Sequence, residues 1–108
     1  MSNKNFSSAL TYTRANYAHL FDASLRSITL CRQMDHRGAY GTHYCIGKES
    51  RITIANGRRS VAEFVNTLVH ELTHHQQAAS CSTLTRNERE GEAWCAGNLA
   101  QNNYKEQV

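Results

Sequence analysis

The chain has 108 residues, of which 40% are hydrophobic, and 12 basic and 9 acidic residues give it a net charge of +3. This length predicts a single domain spanning 1–108 with one modest core, and the mild basic excess permits contact with nucleic acid without implying it. No apolar run resembles a secretory signal or reaches the length of a membrane span, so we expect a cytoplasmic protein with no membrane partner.

The four cysteines are far apart in the sequence, and none forms a Cys-x-x-Cys pair: they are Cys31, Cys45, Cys81 and Cys95. This spacing argues against a zinc ribbon. An even number permits two disulfides in an exported protein, but the missing signal favours reduced thiols. A bound metal would help to stabilise so small a fold.

The first predicted element is a helix from Phe6 to about Leu25. Its apolar residues recur at mostly helical spacing and alanines lie between them. We expect this helix to cover one side of a sheet.

Three strands are predicted next, at residues 27–31, 40–46 and 51–55. The first and third alternate between apolar and polar residues, and the second is aromatic and broken by Gly41. Turn residues separate them, at 35–38 and 47–50. The pattern favours a small three-stranded antiparallel sheet and an α+β fold.

A second helix is predicted to begin at a capping box formed by Ser60 and Glu63. One broad arc of this helix is apolar, and it comprises Val61, Phe64, Val65, Leu68, Val69 and Leu72. The arc indicates the face that packs on the core. His75 falls within it, which favours a packed or outer-shell histidine over a metal ligand.

The opposite face carries His70-Glu71-Leu72-Thr73-His74, an H-E-x-x-H sequence. Residues i and i+4 of a helix lie one above the other, so His70 and His74 can offer two imidazole nitrogens to one metal ion. Glu71 lies about 100° further round the helix, beside the metal, where it can accept a proton from an activated water. The alternative is an ordinary amphipathic helix that carries two histidines by chance.

A last helix is predicted from a second capping box, Thr85 with Glu88, to about Asn103. A catalytic zinc site typically has three protein ligands, so the third is expected here. Glu90 is favoured over Glu88 and Glu92 because it shares a less polar stripe with the three residues Trp94, Gly97 and Tyr104. Gly97 would allow close packing of this helix.

Other residues have weaker chemical signals. His36 and His43 are possible extra ligands, although histidines in loops and half-exposed strands are usually neither ligands nor catalysts. Tyr40 and Tyr44 are more typical of sheet packing. The residues considered for stabilising an oxyanion are Tyr40, His43, Tyr44, Arg86 and Tyr104.

From about Leu20 to Trp94 the chain resembles the SprT-like (Spartan-type) zinc metalloprotease domain. The strand at 51–55 and the sequence from Phe64 to His74 are similar to the family's strand and its LxHExxH helix. The resemblance implies a small zincin-like fold with an N-terminal helix, a sheet, an HExxH helix and a C-terminal helix that bears a ligand. It also implies an edge strand beside the cleft, with which an extended peptide could pair.

The resemblance breaks at the third ligand. The family has a histidine in an H-G-x-x-[FW] sequence, and this chain has Glu90-Gly91-Glu92-Ala93-Trp94 there. A glutamate third ligand is typical of gluzincins, and E-x-x-A resembles the ImmA/IrrE-like peptidases. Both comparisons point to Glu90.

The sequence therefore predicts a zinc metallopeptidase with Zn²⁺ on His70, His74 and Glu90, and Glu71 as general base. Its partner would be a protein or peptide substrate. Spartan-type proteases act on proteins crosslinked to DNA, so DNA is a second possible partner, through a basic rim of Arg51, Arg58, Arg59, Arg86 and Arg89. The alternative is a non-catalytic zinc-binding module that binds protein or DNA, in which a residue such as Cys81 or His75 would supply a fourth ligand.

Overall fold

A computed structural model of the chain describes residues 2–22, 25–31, 41–46, 49–55, 59–79 and 83–107. In chain order the elements are α1 (Ser2–Asn16), a 3-10 turn (Ala18–Leu20), β1 (Leu25–Cys31), β2 (Gly41–Ile46), β3 (Glu49–Ala55), α2 (Val61–Ala79) and α3 (Arg86–Gln107). None of these helices is both long and apolar enough to cross a membrane.

The first helix ends at Asn16, so the predicted helix to Leu25 was too long. The chain leaves helical geometry at Tyr17, where φ is −132° and ψ is 40°. The side chain of Asn16 turns back and donates to the carbonyl of Tyr12 at 2.9 Å, a bond that competes with further helix. The apolar residues beyond this point continue the helical spacing, but they belong to the 3-10 turn and the start of β1.

The first helix packs on α2, and the expectation that it covers the sheet was wrong. The rings of Phe6 and Phe64 meet edge to face with centres 5.7 Å apart. The side chain of Asn5 donates to the carbonyl of Arg59 at 2.9 Å, just before α2 begins. These contacts hold α1 against the N-terminal half of α2.

The sheet has the strand order β1-β3-β2, so the last strand in the sequence is central. The second strand pairs antiparallel with β3, as predicted, but β1 pairs parallel with it, with Ile28 opposite Ile52. The predicted three-stranded antiparallel sheet was therefore wrong. The expected zincin-like α+β fold built on such a sheet is corrected with it, because the described chain is mostly helical and its small sheet is mixed.

The period-two pattern could not have revealed this pairing. Alternation decides which face of a strand is buried, and that face is the same whether its neighbour runs parallel or antiparallel. Ile52 and Ile54 are fully buried in the core and belong to the central strand. The strands β1 and β2 lie on opposite sides of β3, about 10 Å apart at the usual strand spacing. In the sequence they are joined by residues 32–40.

The second helix is the central element and packs against α1, α3, β2 and β3. Its start is the predicted capping box: the Ser60 N–H donates to Glu63 Oε1 at 3.0 Å, and the Glu63 N–H donates to Ser60 Oγ at 3.1 Å. The predicted apolar arc is confirmed as the core face, with these residues buried: Phe64, Val65, Leu68, Val69 and Leu72.

The second and third helices run antiparallel and side by side. Their contacts follow one another along both helices: Asn66 with Asn98, His70 with Trp94, His74 with Glu90 and Gln77 with Arg89. The third helix begins at the second predicted capping box, where Thr85 and Glu88 exchange bonds of 2.9 and 3.2 Å. This antiparallel pair carries the candidate site.

Gly97 lies where the two helices are closest. A Cβ at this position would be 2.8 Å from the carbonyl oxygen of Asn66 and closer still to its side-chain oxygen. The Asn66 amide donates to Asn98 Oδ1 at 2.9 Å and to Gln101 Oε1 at 2.7 Å, so it is held against the third helix. The predicted role of Gly97 in close helix packing is confirmed.

We therefore expect Gly97→Ala to lower the free energy of unfolding by about 1–3 kcal/mol, because the added methyl group must push Asn66 and the helices apart. Gly91→Ala is the matched control, since a Cβ there meets nothing within 4 Å. The control should raise stability by up to about 1 kcal/mol through helix propensity. Urea unfolding measures both, and equal stability of the two variants would contradict this account of the helix pair.

Candidate metal centre

Three side chains meet between α2 and α3, and they are the three predicted ligands. His70 and His74 lie one turn apart on α2 with ring centres 5.0 Å apart. Glu90, on α3, places Oε1 3.5 Å from His70 Nε2 and Oε2 2.8 Å from His74 Nε2. One ligand atom from each residue lies within 4.8 Å of the other two.

This donor set fits a zinc ion. Zinc binds imidazole nitrogen and carboxylate oxygen at about 2.0–2.2 Å in tetrahedral geometry, which puts two ligand atoms of one ion about 3.3 Å apart. The distance of 3.5 Å from His70 to one oxygen of Glu90 and the distance of 2.8 Å from His74 to the other lie on either side of this value. Among the described residues no fourth ligand joins the group, as in sites that keep one position open.

Glu71 is buried beside this group, with 6% of its surface exposed. Its Oε2 lies 4.0 Å from Nε2 of His70, so its carboxyl group is near the ligand atoms without being one of them. Burial, and secondarily the negative charge of Glu90, raise the pKa of Glu71 to about 7. A carboxyl group with a pKa near neutrality can both take up and release a proton at physiological pH.

Burial also lowers the pKa of His70. Its pKa is lowered, first because the ring is removed from water and second because His74 is close, while Glu90 partly opposes the shift. A lowered pKa keeps the imidazole neutral, which is the form that binds a metal ion. The ring of His70 also meets the ring of Trp94 edge to face, with ring centres 5.6 Å apart.

Gln77 orients His74, a role that the sequence did not reveal. Its Oε1 lies 2.9 Å from His74 Nδ1, so the ring donates there and presents Nε2 towards Glu90. The amide nitrogen of Gln77 donates to the carbonyl of Arg89 at 3.0 Å and to Glu92 Oε1 at 2.9 Å. The only signal in the sequence was the position of Gln77, three residues after His74 on the same face of the helix.

The alternative third ligands have other partners. Glu88 caps α3 through Thr85, and Glu92 accepts the bond from Gln77. The expected inward stripe was only partly correct: Gly97 is buried, but Trp94 is 57% exposed. Glu90 itself reaches the histidines from a half-exposed position on this stripe.

His75 is a core residue, as predicted, and it does not join the metal group. It is fully buried, and its Nε2 lies 2.9 Å from Asp22 Oδ1. This pair ties the segment after the 3-10 turn to α2. His75 is therefore excluded as the fourth ligand of a closed structural site.

Two of the residues considered for the oxyanion are located by the structure. Tyr104 packs edge to face on Tyr12 with ring centres 4.9 Å apart, and it lies 14 residues beyond Glu90, about 21 Å along the helix. It is excluded from the site. Arg86 is exposed, one turn before Glu90.

The remaining predicted residues fall into two groups. His36, Tyr40, Arg58 and Cys81 lie outside the described residues. His43 and Tyr44 belong to β2, where their backbones pair with Ile52 and Arg51. The structure therefore leaves the roles proposed for these six residues as predictions.

Two arginines of the predicted basic rim have hydrogen-bond partners within the protein, and the rim itself stays a prediction. The guanidinium of Arg59 donates to the carbonyl of Glu63 at 3.1 Å and to the hydroxyl of Thr67, and it lies over the ring of Phe64. Arg59 thus serves the N-terminal half of α2. Arg89 donates to the carbonyl of Leu84 at 2.6 Å, which leaves Arg86 as the exposed arginine on the first turn of α3.

No family model matches this chain, and neither a curated protein nor a solved structure shows significant similarity to it. The geometry and chemistry of the site itself therefore carry the indications of function.

The hydrogen bond that His74 donates to Gln77 can be tested by substitution. Gln77→Ala should weaken zinc binding by about 10- to 100-fold, because the ring of His74 loses the partner that fixes its tautomer and direction. Gln76→Ala is the matched control, since that neighbour donates to the carbonyl of His19 and does not contact a ligand. Competition with a chromophoric chelator measures both affinities. Equal zinc affinity in the two variants would remove Gln77 from the site.

The raised pKa of Glu71 predicts a pH dependence in protein stripped of metal by a chelator. Between pH 4.5 and about 7 the folded state keeps a proton that the unfolded state has lost, so stability should fall as the pH rises through this range. The full shift corresponds to at most about 3 kcal/mol. Glu71→Gln has no proton to lose, so its advantage over the natural protein should be absent at pH 4 and largest near pH 8. Urea unfolding across this range tests the sign, and an advantage that shrinks with rising pH would contradict it.

Proposed function

We propose that this protein is a zinc-dependent peptidase in which His70, His74 and Glu90 hold the metal and Glu71 is the general base. The observation that carries the proposal is the convergence of the three ligand atoms within 4.8 Å, with a buried carboxyl group beside them. The ligands come from two antiparallel helices that are fixed by close packing, which suits a preorganised site.

The ligand set supports a catalytic role over a purely structural one. Structural zinc sites are normally closed by four protein ligands, whereas this group has three in the part of the chain that is described, and His75 is paired elsewhere. When bound, zinc polarises a carbonyl and lowers the pKa of water towards neutrality. A structural site has no need of a carboxyl group such as Glu71 at this position.

The remaining roles belong to side chains of the protein. Glu71 would take the proton from the attacking water and pass it to the leaving amine, a role that suits a buried carboxyl group that lies beside the ligand atoms without being a ligand. Gln77 holds His74 in the tautomer that presents Nε2. Burial keeps His70 neutral and able to bind the metal.

The substrate in this proposal is a protein or peptide. β2 is at the end of the strand order and packs against α2, which carries the histidines. An extended peptide could add to the outer edge of β2 by backbone hydrogen bonding, which would bring a peptide bond alongside α2. DNA-associated proteins are one possible substrate class, and this part of the proposal depends on the resemblance to Spartan-type proteases.

The central test compares two glutamates. Glu71→Gln keeps the three ligands, so the variant should still bind about one equivalent of zinc while hydrolysis of casein falls by about 10²–10⁴-fold. Glu90→Gln removes a ligand charge, so zinc content and activity should fall together. Glu106→Gln, an exposed glutamate near the end of the same helix, is the control and should change neither. Metal analysis and a fluorescent casein assay give both readouts.

Two results would overturn the proposal. Full activity in Glu71→Gln on a substrate that the natural protein cleaves would exclude the general base. Full zinc occupancy in Glu90→Gln would exclude the third ligand. Zinc binding without hydrolysis of casein or of a DNA-crosslinked protein would leave the non-catalytic binding module as the better account.

A further inference from the structure

Trp94 is a large apolar side chain that is exposed beside the candidate metal centre. It leaves 57% of its surface open to water, and only Leu99 is a comparably exposed large apolar residue among those described. The core face of α3 is formed by the small residues Ala93, Gly97 and Ala100, so the packing of the helix does not depend on the indole. The position of Trp94 therefore needs an explanation other than core packing.

The ring is held against a ligand. Its centre lies 5.6 Å from that of His70, and the two planes are 88° apart. In an edge-to-face pair at most one face of the indole is covered by the imidazole, so at least one face is not. Trp94 also lies one turn after Glu90 on α3, which places it next to two of the three ligands.

We propose that Trp94 is a specificity-determining residue, whose free indole face binds an aromatic side chain next to the scissile bond of a peptide substrate. This inference rests on the proposed peptidase function. Neighbouring Cα atoms of a peptide are about 3.8 Å apart. A residue adjacent to a peptide bond at the ligand atoms is therefore within reach of a ring that touches His70. Stacking of a planar apolar side chain on the indole would remove apolar surface of both partners from water.

Zinc-loaded Glu71→Gln protein allows binding to be measured without turnover. The probes are two blocked hexapeptides of alanine and glycine that differ at one central position, which is phenylalanine in one and alanine in the other. The phenylalanine peptide should bind about 10-fold more tightly. Trp94 is the only tryptophan in the chain, so its fluorescence should change saturably with that peptide.

Substitutions then locate the preference. Adding Trp94→Ala should bring the ratio of the two affinities close to one, and Trp94→Phe should keep most of the preference because it retains an aromatic face. Leu99→Ala is the matched control: it removes an exposed apolar side chain of α3 that lies about 140° round the helix from Trp94, and it should leave the ratio unchanged. Dye-labelled peptides and fluorescence anisotropy give the affinities of all variants, and zinc content should be the same throughout.

The outcomes separate this inference from the proposed function. Equal binding of the two peptides, no binding of either, or a preference that survives Trp94→Ala would overturn the role of Trp94. Tighter binding of an oligothymidylate that quenches Trp94 would also overturn it, because the indole would then serve a nucleobase. A Trp94-dependent preference in a protein that hydrolyses no substrate would support the binding of an aromatic side chain by Trp94 and contradict the peptidase function. Casein hydrolysis without the preference would do the reverse.

Discussion

The close approach of α2 and α3 at Gly97 is the constraint on which the candidate site depends. With no side chain at 97, the carbonyl of Asn66 can lie against α3, and the Asn66 amide then bonds to two residues of that helix. Glu90 is two turns from Gly97, so its distance from the histidines is set by this contact. A wider helix spacing would leave the glutamate out of reach of His70 and His74.

The polar side chains around the site form a hydrogen-bond network that is centred on Gln77. The His74 ring donates to the amide oxygen of Gln77, and the amide nitrogen of Gln77 donates to the backbone of Arg89 and to the carboxylate of Glu92 on α3. The same side-chain amide therefore holds both His74 and the helix that carries Glu90. Glu71 lies on the more buried side of α2 and gains its unusual pKa from that position. The site therefore combines a desolvated acid–base group with two partly buried histidines and a half-exposed glutamate. Such a difference in environment is how proteins assign different roles to chemically similar residues.

The exposed tryptophan and the buried glutamate both lie beside the same ligand. His70 contacts Trp94 through its ring and approaches Glu71 through Nε2. One imidazole thus connects the apolar surface that is proposed to select the substrate to the group that is proposed to move the proton. In this arrangement the choice of substrate and the chemistry would be coupled through a single, neutral histidine.

Local patterns in the sequence were enough to predict the helix that carries the H-E-x-x-H sequence, both capping boxes and the three strands. They were also enough to favour Glu90 as the third ligand. These features depend on periodicities of 3.6 and two residues and on side chains that bond three positions away, so neighbours in the chain suffice to specify them. Only the tertiary structure decided that β1 runs parallel to β3, that α1 packs on α2, and that Gln77 and Trp94 flank the ligands. Strand order, helix pairing and exposure are set by contacts between distant segments, which compete on packing and connection length, and no local pattern records their outcome.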